Sequence, residues 1–398
     1  MQNLISIIIL ATALSLGLNI ILKKKQIESI IGYILTGAII TYAFNLHAAG
    51  NESLSIIAEF GIAFLMFSIG LEFSIHKLYA IKRRVFLYGG LQFALTSLLF
   101  FLVFYFGFAV SLQVALIFSF GLAMSSTAIV LKLLNKKQKI KTTYGKNAVG
   151  ILLFQDMAVI PILIMVSIFA QGGQSLDQML LQTLGSAVIV LFFLWIGGFY
   201  VIPYVMNLVT NPPSSELFMT TILLLVVGSA HLANVFGFSY SLGAFVAGLL
   251  IAETRHKEQI KNNLMPFRNL LLGVFFVTVG MQLDLNFVPG HWLQIIGIVC
   301  GLTAVKMLII YVVMRRIYGF NTSLRTAIIL AQVGEFSFVI FELAKLRGVL
   351  GEGELTQTIV IAIVASMILA SLVFTYLEWI MHIATHLRRI FLERLKKC

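Results

Sequence analysis

The chain has 398 residues, of which 60% are hydrophobic and only 11% are charged, whereas an average soluble domain has about 25% charged residues. This composition excludes a water-soluble globular protein, and the net charge of +12 does not indicate nucleic-acid binding because the basic residues lie in short loops between apolar runs. The cysteines, Cys300 and Cys398, lack metal-ligand or disulfide spacing, and no nucleotide fingerprint or nucleophile triad is present, so we expect neither an enzyme nor a cofactor.

Apolar runs of about 20 residues, the length that crosses a hydrocarbon core about 30 Å thick, recur along the whole chain. They predict an all-α polytopic membrane protein with about 13 transmembrane spans and no large soluble domain. The first run is followed rather than preceded by lysines, so it is expected to stay as a span instead of acting as a cleaved signal. The predicted spans are Leu4–Leu22, Ser29–Phe44, Leu54–Phe73, Val85–Val110, Val114–Leu134, Ala148–Ala170, Met179–Leu208, Leu217–Phe236, Tyr240–Ala252, Leu270–Leu283, Leu293–Met314, Thr326–Ala344 and Ile359–Ile383.

Basic residues are concentrated in every second loop. One side of the predicted bundle has the basic groups of residues 23–25, 77–84, 132–146, 255–268, 315–325 and 388–397, and the other side has Lys345 and Arg347. Cytoplasmic loops carry an excess of lysine and arginine. The pattern therefore predicts an N-terminus outside the cell and a C-terminus in the cytoplasm.

The fifth and twelfth spans have glycine and polar residues at their centres. In the fifth these are Gly121, Ser125, Ser126 and Thr127, and in the twelfth Gln332, Gly334, Glu335 and Ser337. Interrupted helices at membrane depth are tolerated only where they line a cavity, and paired interruptions in two halves of opposite orientation indicate an ion site at the midplane. Because these spans lie seven apart, they run in opposite directions and predict an inverted repeat. The alternative is that the small residues only let neighbouring helices pack closely.

Asp156 is the clearest candidate for chemistry because it lies near the middle of the sixth span, among apolar residues. Ionisable residues at such depth are costly and usually mark ion paths or proton relays. A buried carboxylate that holds either a proton or a monovalent cation, but not both, would exchange one for the other. Pro161, about one turn further on, frees a backbone carbonyl that is a candidate ligand.

Lys306 and Glu335 are the other ionisable candidates. Lys306 is expected either to compensate the charge of Asp156 or to extend its amine to the headgroups, and the sequence does not decide between these roles. Glu335 is a second candidate for ion or proton binding, with the neutralisation of opposed helix ends as its alternative role. Gln155 and Gln332 are also expected at the site, beside the hydroxyls of the fifth span.

Seven groups of residues along almost the whole chain carry a family resemblance. They are Gly32-Tyr-Ile-Leu-Thr-Gly37; Ala58-Glu-Phe-Gly61 with Ile69-Gly-Leu-Glu72; Ser125-Ser-Thr-Ala-Ile129; Leu153-Phe-Gln-Asp156; Leu242-Gly-Ala-Phe-Val-Ala-Gly248; Pro266-Phe with Phe275-Phe and Val279-Gly-Met281; and Gln332-Val-Gly-Glu-Phe336. In this order they resemble the second family of monovalent cation:proton antiporters, and within it the membrane domain of Kef-type, glutathione-gated potassium-efflux proteins.

The resemblance implies a sodium/proton-antiporter-like fold with two crossed, discontinuous helices, in a homodimer in the inner membrane of a bacterial cell. It implies a core domain, about residues 54–170 and 270–383, that moves like an elevator against a dimerisation domain, about residues 4–44 and 179–252. In that family an acid before the central aspartate accompanies electrogenic exchange. Gln155 occupies that position here, which implies electroneutral exchange.

The resemblance is incomplete at the C-terminal end. Kef-type proteins continue into a cytoplasmic nucleotide-binding regulatory domain, so either that domain is missing from this chain or the protein lacks its regulation. The sequence itself suits K⁺ or Na⁺ at Asp156, and only the resemblance favours K⁺. The alternative functions are a ligand-gated potassium channel, although no Thr-Val-Gly-Tyr-Gly filter is present, and a sodium-coupled carrier of organic anions.

Overall fold

In the computed structural model, the described residues are 2–24, 27–44, 52–72, 83–170, 204, 215–236, 238–252, 254 and 257–395. Their regular secondary structure is helical. The helices are α1 Gln2–Lys24, α2 Ser29–Phe44, α3 Glu52–Glu72, α4 Gly90–Leu102, α5 Leu112–Ala123, α6 Thr127–Lys136, α7 Thr143–Phe169, α8 Ser215–Val235, α9 Tyr240–Ile251, α10 Lys257–Met281, α11 Phe287–Arg315, α12 Phe320–Leu330, α13 Phe336–Leu346, α14 Glu354–Thr375 and α15 Leu377–Leu395. Two π-helical segments, Arg83–Gly89 and Val103–Gly107, extend α4 at its two ends.

Seven helical segments within the described part of the chain are long and apolar enough to cross a membrane. Twelve of the 13 predicted spans fall on described helices, and the seventh, Met179–Leu208, lies outside the described residues except for Tyr204. The number of thirteen therefore stays a prediction. Together the helices form a multi-pass membrane protein.

Two predicted spans differ from the helices that the structure contains. The tenth was expected to be short, but α10 begins at Lys257. Its first half is rich in charged and polar residues and includes Pro266, so it extends the helix without lengthening the apolar run. The thirteenth combines two helices, since the chain turns at Tyr376 between α14 and α15. In both cases hydropathy measures apolar length and does not detect where a helix begins or turns.

The two predicted interruptions are confirmed. The fifth span ends as α5 at Ala123 and resumes as α6 at Thr127. The twelfth ends as α12 at Leu330 and resumes as α13 at Phe336. Each break therefore leaves a helix C-terminus and a helix N-terminus inside the bundle, where backbone groups need partners other than bulk water.

Glycines set the spacing in the part of the bundle that α2, α3, α9 and α10 form. A Cβ on Gly248 of α9 would lie 2.9 Å from the carbonyl carbon of Phe67 in α3. Gly37 of α2 has a similarly close neighbour, since its Cβ would lie 2.6 Å from the backbone nitrogen of Met281 in α10. The helix axes can approach this closely only because these positions carry no side chain.

In this part of the bundle α3 packs mainly on α9 and α10, and α10 packs mainly on α3 and α2. The resemblance assigned α3 and the second half of α10 to the moving core, and α2 and α9 to the dimerisation domain. How the helices divide into moving and static bodies stays a prediction.

The last helix is attached to α12 by an ion pair. Arg325 binds the carboxylate of Glu378 through both terminal nitrogens, at 2.5 and 2.7 Å. These hydrogen bonds from the Arg325 guanidinium lower the pKa of Glu378. They hold the start of α15 against the first half of the broken twelfth span.

The close packing of α3 on α9 leads to a stability prediction. We expect Gly248→Ala to lower the melting temperature of the detergent-solubilised protein, because the added methyl group meets backbone atoms that cannot rotate away and overpacking typically costs about 1–3 kcal/mol. Gly297→Ala in α11 is the matched control, since among the described residues no atom of another helix lies within 4 Å of its added Cβ. It should be neutral or slightly stabilising. Equal melting temperatures for the two variants would contradict the close approach.

Candidate functional site

The two helix interruptions lie directly against each other. The backbone N–H of Gly334 donates to the carbonyl of Met124 at 3.1 Å. A Cβ on Gly334 would lie 2.6 Å from the carbonyl carbon of Ser125, and one on Gly121 would lie 2.6 Å from the ring of Phe341. Both glycines that the sequence analysis selected therefore allow the two broken helices to cross in contact.

Lys306 of α11 lies at the C-terminal ends of the first halves of both broken helices. Its ammonium donates to the carbonyls of Leu122 at 3.1 Å, Met124 at 2.5 Å and Gln332 at 2.8 Å. Helix C-termini carry unpaired carbonyls and a partial negative charge. Lys306 therefore compensates the charge of two helix ends at once.

The two roles expected for Lys306 were compensation of Asp156 and extension to the headgroups. The side chain is fully buried, so it does not extend to a headgroup layer. Its three hydrogen bonds go to backbone carbonyls rather than to a carboxylate. Lys306 thus compensates the partial charges at the ends of α5 and α12.

Glu335 lies at the opposite side of the crossing, at the N-terminal ends of the second halves. Its Oε1 accepts a hydrogen bond from the backbone N–H of Ala128, in the first turn of α6, at 3.3 Å. Glu335 is also the residue that precedes α13. A carboxylate here is favourable because helix N-termini carry partial positive charge. Its Oε2 is buried and has no hydrogen-bond partner among the described residues.

Asp156 is buried, with 7% of its surface exposed, on α7 beside the start of α6. The hydroxyl of Thr127 donates to its Oδ1 at 2.9 Å. Thr127 and Ala128 are consecutive, so the first turn of α6 contacts the carboxylates of both Asp156 and Glu335. Pro161 lies inside α7 on its exposed face, and a role for the carbonyl that it frees stays a prediction.

Gln155 fastens the first interruption to two other helices. Its Oε1 accepts from the N–H of Ser125 at 2.8 Å, and its Nε2 donates to the Oε1 of Gln92 at 2.7 Å and to the carbonyl of Ala123 at 3.3 Å. Both N–H donors of the amide are therefore in use. Gln92 was not predicted from the sequence, although an amide in the mostly apolar α4 is a usable signal.

Three serines at or beside the two breaks satisfy backbone groups. Ser125 donates its hydroxyl to the carbonyl of Leu330 at 2.7 Å, and Ser126 caps α6 by accepting from the N–H of Ile129 at 3.2 Å. Ser366 of α14, also missed from the sequence, accepts from the N–H of Val333 at 3.3 Å. The amide of Gln332 is buried, and within the described part of the chain it has no hydrogen-bond partner.

The structure thus places every site residue selected from the sequence, apart from Pro161, at or next to the crossing. The resulting oxygen donors are two carboxylates, hydroxyls and backbone carbonyls. In the described ranges no cluster of three or more His, Cys, Asp or Glu residues is placed to hold a metal ion. Such a donor set suits a proton or a weakly bound hard cation better than a tightly held transition metal.

Comparison with known proteins gives one family match and a clear structural likeness. A family model described as "Sodium/hydrogen exchanger, transmembrane" matches residues 8–379. A solved structure of the sodium proton antiporter MjNhaP1 from Methanocaldococcus jannaschii at pH 8 aligns with a TM-score of 0.67 and 16% identity, covering 96% of this chain and 99% of that one. A second structure of the same antiporter, from an electron-microscopy map, gives a TM-score of 0.64 and 18% identity over 96% and 98% of the two chains. At these identities the likeness shows a shared fold.

The position of Lys306 leads to a second stability prediction. We expect Lys306→Met to lower the melting temperature strongly, because three buried carbonyls lose a charged donor and such hydrogen bonds contribute about 1.5–3 kcal/mol each. Lys345→Met is the control, since Lys345 is partly exposed and donates to Gln282 at 2.8 Å.

Combining Lys306→Met with Asp156→Asn tests the partner of the lysine. The double variant should be about as stable as Lys306→Met alone, because Lys306 binds helix ends rather than Asp156. A double variant more stable than Lys306→Met alone would show instead that Lys306 serves the carboxylate.

Proposed function

The chain belongs to the sodium/hydrogen exchanger family, and from that premise we propose that it is a secondary antiporter that exchanges a monovalent cation for protons at Asp156. The observation that carries the proposal is a buried carboxylate held beside the crossing of two broken helices. Its Oδ1 accepts from Thr127 at 2.9 Å, while the ends of the helices are occupied by Lys306 and Glu335.

Exchange follows from competition for one carboxylate. A carboxylate in a poorly solvated site is stabilised either by binding a proton or by contact with a cation, and a bound proton removes the charge that attracts the cation. If the site opens to one side of the membrane at a time, each exchange of ligands moves a cation one way and a proton the other. No further coupling device and no nucleotide are required.

The neighbours of Asp156 support competition between a proton and a cation at this carboxylate. Thr127 offers a hydroxyl oxygen to a cation once its hydrogen turns away from the carboxylate, as hydroxyl groups both donate and accept. Glu335 neutralises the N-termini of α6 and α13, and its unbonded Oε2 is a second oxygen available to a proton or a cation. Gln155 is neutral and holds the break in place, which supports exchange of one cation for one proton without net charge movement.

The likeness in fold to a sodium proton antiporter favours Na⁺ as a substrate, and the Kef-type resemblance favours K⁺. We propose K⁺ or Na⁺ as the transported cation. Elevator-like movement of a core against a dimerisation domain, a homodimer, and residence in a bacterial inner membrane with the C-terminus in the cytoplasm belong to the same proposal.

Replacement of the carboxylate tests the proposal. Asp156→Asn should abolish cation-dependent dissipation of a pH gradient in proteoliposomes and leave the melting temperature nearly unchanged, because the asparagine carbonyl can still accept from Thr127. The control is Asp284→Asn, which changes an exposed aspartate between α10 and α11 and should leave exchange intact. Normal exchange by a well-folded Asp156→Asn variant would refute the role of this carboxylate.

The same vesicles separate the substrates and the alternative functions. We expect K⁺ or Na⁺ to dissipate the pH gradient at the same rate whether the membrane voltage is clamped at zero or left free, because electroneutral exchange moves no net charge. Li⁺ serves as a third ion of smaller radius. Single-channel currents in a planar bilayer would establish a channel instead, and uptake of organic anions driven by a sodium gradient would establish a carrier.

A further inference from the structure

A groove lies between α11, α12, α14 and α15. Its volume is about 510 Å³, within the range of about 300–1,000 Å³ that ligand pockets usually have. Most of its lining is apolar. Residues that form its walls include Met307 on α11, Leu324 and Ile328 on α12, Ala370 on α14, and Ile380 and Ala384 on α15.

One end of this groove has a positive charge. Ile380, Ala384 and Arg388 follow each other at intervals of four residues, so they share one face of α15. The guanidinium of Arg388 lies over the ring of Phe320, 4.7 Å from its centroid. Phe320 in turn lies one turn before Leu324 on the same face of α12. Arg388 therefore stands one helical turn beyond the apolar walls on both sides.

The groove spans about two thirds of the hydrocarbon depth of one lipid leaflet. Along α11 its lining runs from Cys300 to Met307, about 10 Å at the rise of an α-helix and a large part of half a hydrocarbon core. Its charged end adjoins the exposed Arg315 and Arg316, on the basic side of the bundle. Met307 and Leu369 on its open side are 37% and 39% exposed, as expected for residues that face acyl chains.

We propose that this groove binds one anionic phospholipid, with an acyl chain along the apolar walls and the phosphate group on Arg388. An apolar channel that ends in a fixed cation matches an amphiphile with a negative headgroup. A free phosphate ion would leave the walls uncovered, and a zwitterionic lipid would place its own cation near the guanidinium. The depth and the side opening both fit a molecule that enters from the surrounding leaflet.

The inner end of the groove adjoins the second helix interruption. Gln332 and Ser366 are part of its lining. The carbonyl of Gln332 accepts from Lys306, and the hydroxyl of Ser366 accepts from the N–H of Val333. A bound lipid would therefore contact the residues that hold the break in place. The proposal concerns binding and goes beyond the exchange activity, so its test does not require transport.

Trp379, which is 65% exposed and adjacent to Ile380, offers a local fluorescent reporter. In a Trp195→Phe/Trp292→Phe background it is the one remaining tryptophan of the chain. The protein is reconstituted in phosphatidylcholine vesicles, and brominated phosphatidylglycerol or brominated phosphatidylcholine is added as a quencher. We expect half-maximal quenching at about five-fold lower mole fraction of the anionic lipid, since a basic residue near anionic lipid contributes about 1 kcal/mol.

Three variants decide whether the preference belongs to the groove. Arg388→Gln should abolish it, and Ala384→Phe should weaken quenching by the anionic lipid because the ring fills the groove. Arg389→Gln removes the same charge about 100° further round α15 and should keep the preference. Equal quenching by the two lipids, or the same loss in both arginine variants, would overturn the proposal.

Two further measurements keep the result independent of transport and specific for a phospholipid. The preference for the anionic lipid should persist in the Asp156→Asn variant. Lipid binding is therefore tested independently of the exchange activity. A brominated fatty acid is tested in the same way. If it quenches at an equal or lower mole fraction than the phosphatidylglycerol, the groove binds a fatty acid rather than a phospholipid, and the assignment is overturned.

Discussion

The electrostatics of four helix ends inside the bundle govern the rest of this structure. Two interrupted helices create two C-termini and two N-termini far from bulk water, and each carries unpaired backbone groups and a partial charge. Lys306 binds the carbonyls at one side of the crossing, and Glu335 accepts an N–H at the other. The partial charges of these helix ends are thus compensated by residues other than Asp156.

The sequence predicted the parts of this arrangement that depend on side-chain type. Glycine and hydroxyl residues in the middle of apolar spans marked both breaks, and a lone acid among apolar residues marked Asp156. The acceptors of Lys306 could not be predicted, because they are backbone carbonyls of Leu122, Met124 and Gln332, and any residue type supplies a carbonyl. Gln92 was overlooked because one amide in an apolar span resembles an ordinary packing residue.

The fold was predictable to a similar extent and for similar reasons. Apolar length identified the helices, but it missed the charged first half of α10 and the turn at Tyr376. Which helices pack together depends on glycine contacts between segments distant in sequence, such as Gly248 with Phe67. Hydropathy carries no information about such pairs, so the division into moving and static parts could be given only by resemblance.

The basic side of the bundle connects the last two helices to both broken ones. Lys137, which follows α6, donates to the carbonyl of Phe374 near the end of α14 at 2.7 Å, and Arg325 of α12 binds Glu378 of α15. The proposed lipid groove lies in this same region. A change in the lipid composition of the surrounding leaflet would therefore alter contacts of both interrupted helices, close to the crossing where ions are exchanged.

The most direct test of the central claim is the number of protons released when a cation binds to the purified protein. A pH-sensitive dye in weakly buffered detergent solution would follow the titration with K⁺ or Na⁺. We predict that one proton is released for each cation bound and that Asp156→Asn releases none. Cation binding without proton release, or unchanged release from the Asp156→Asn variant, would contradict exchange at this carboxylate.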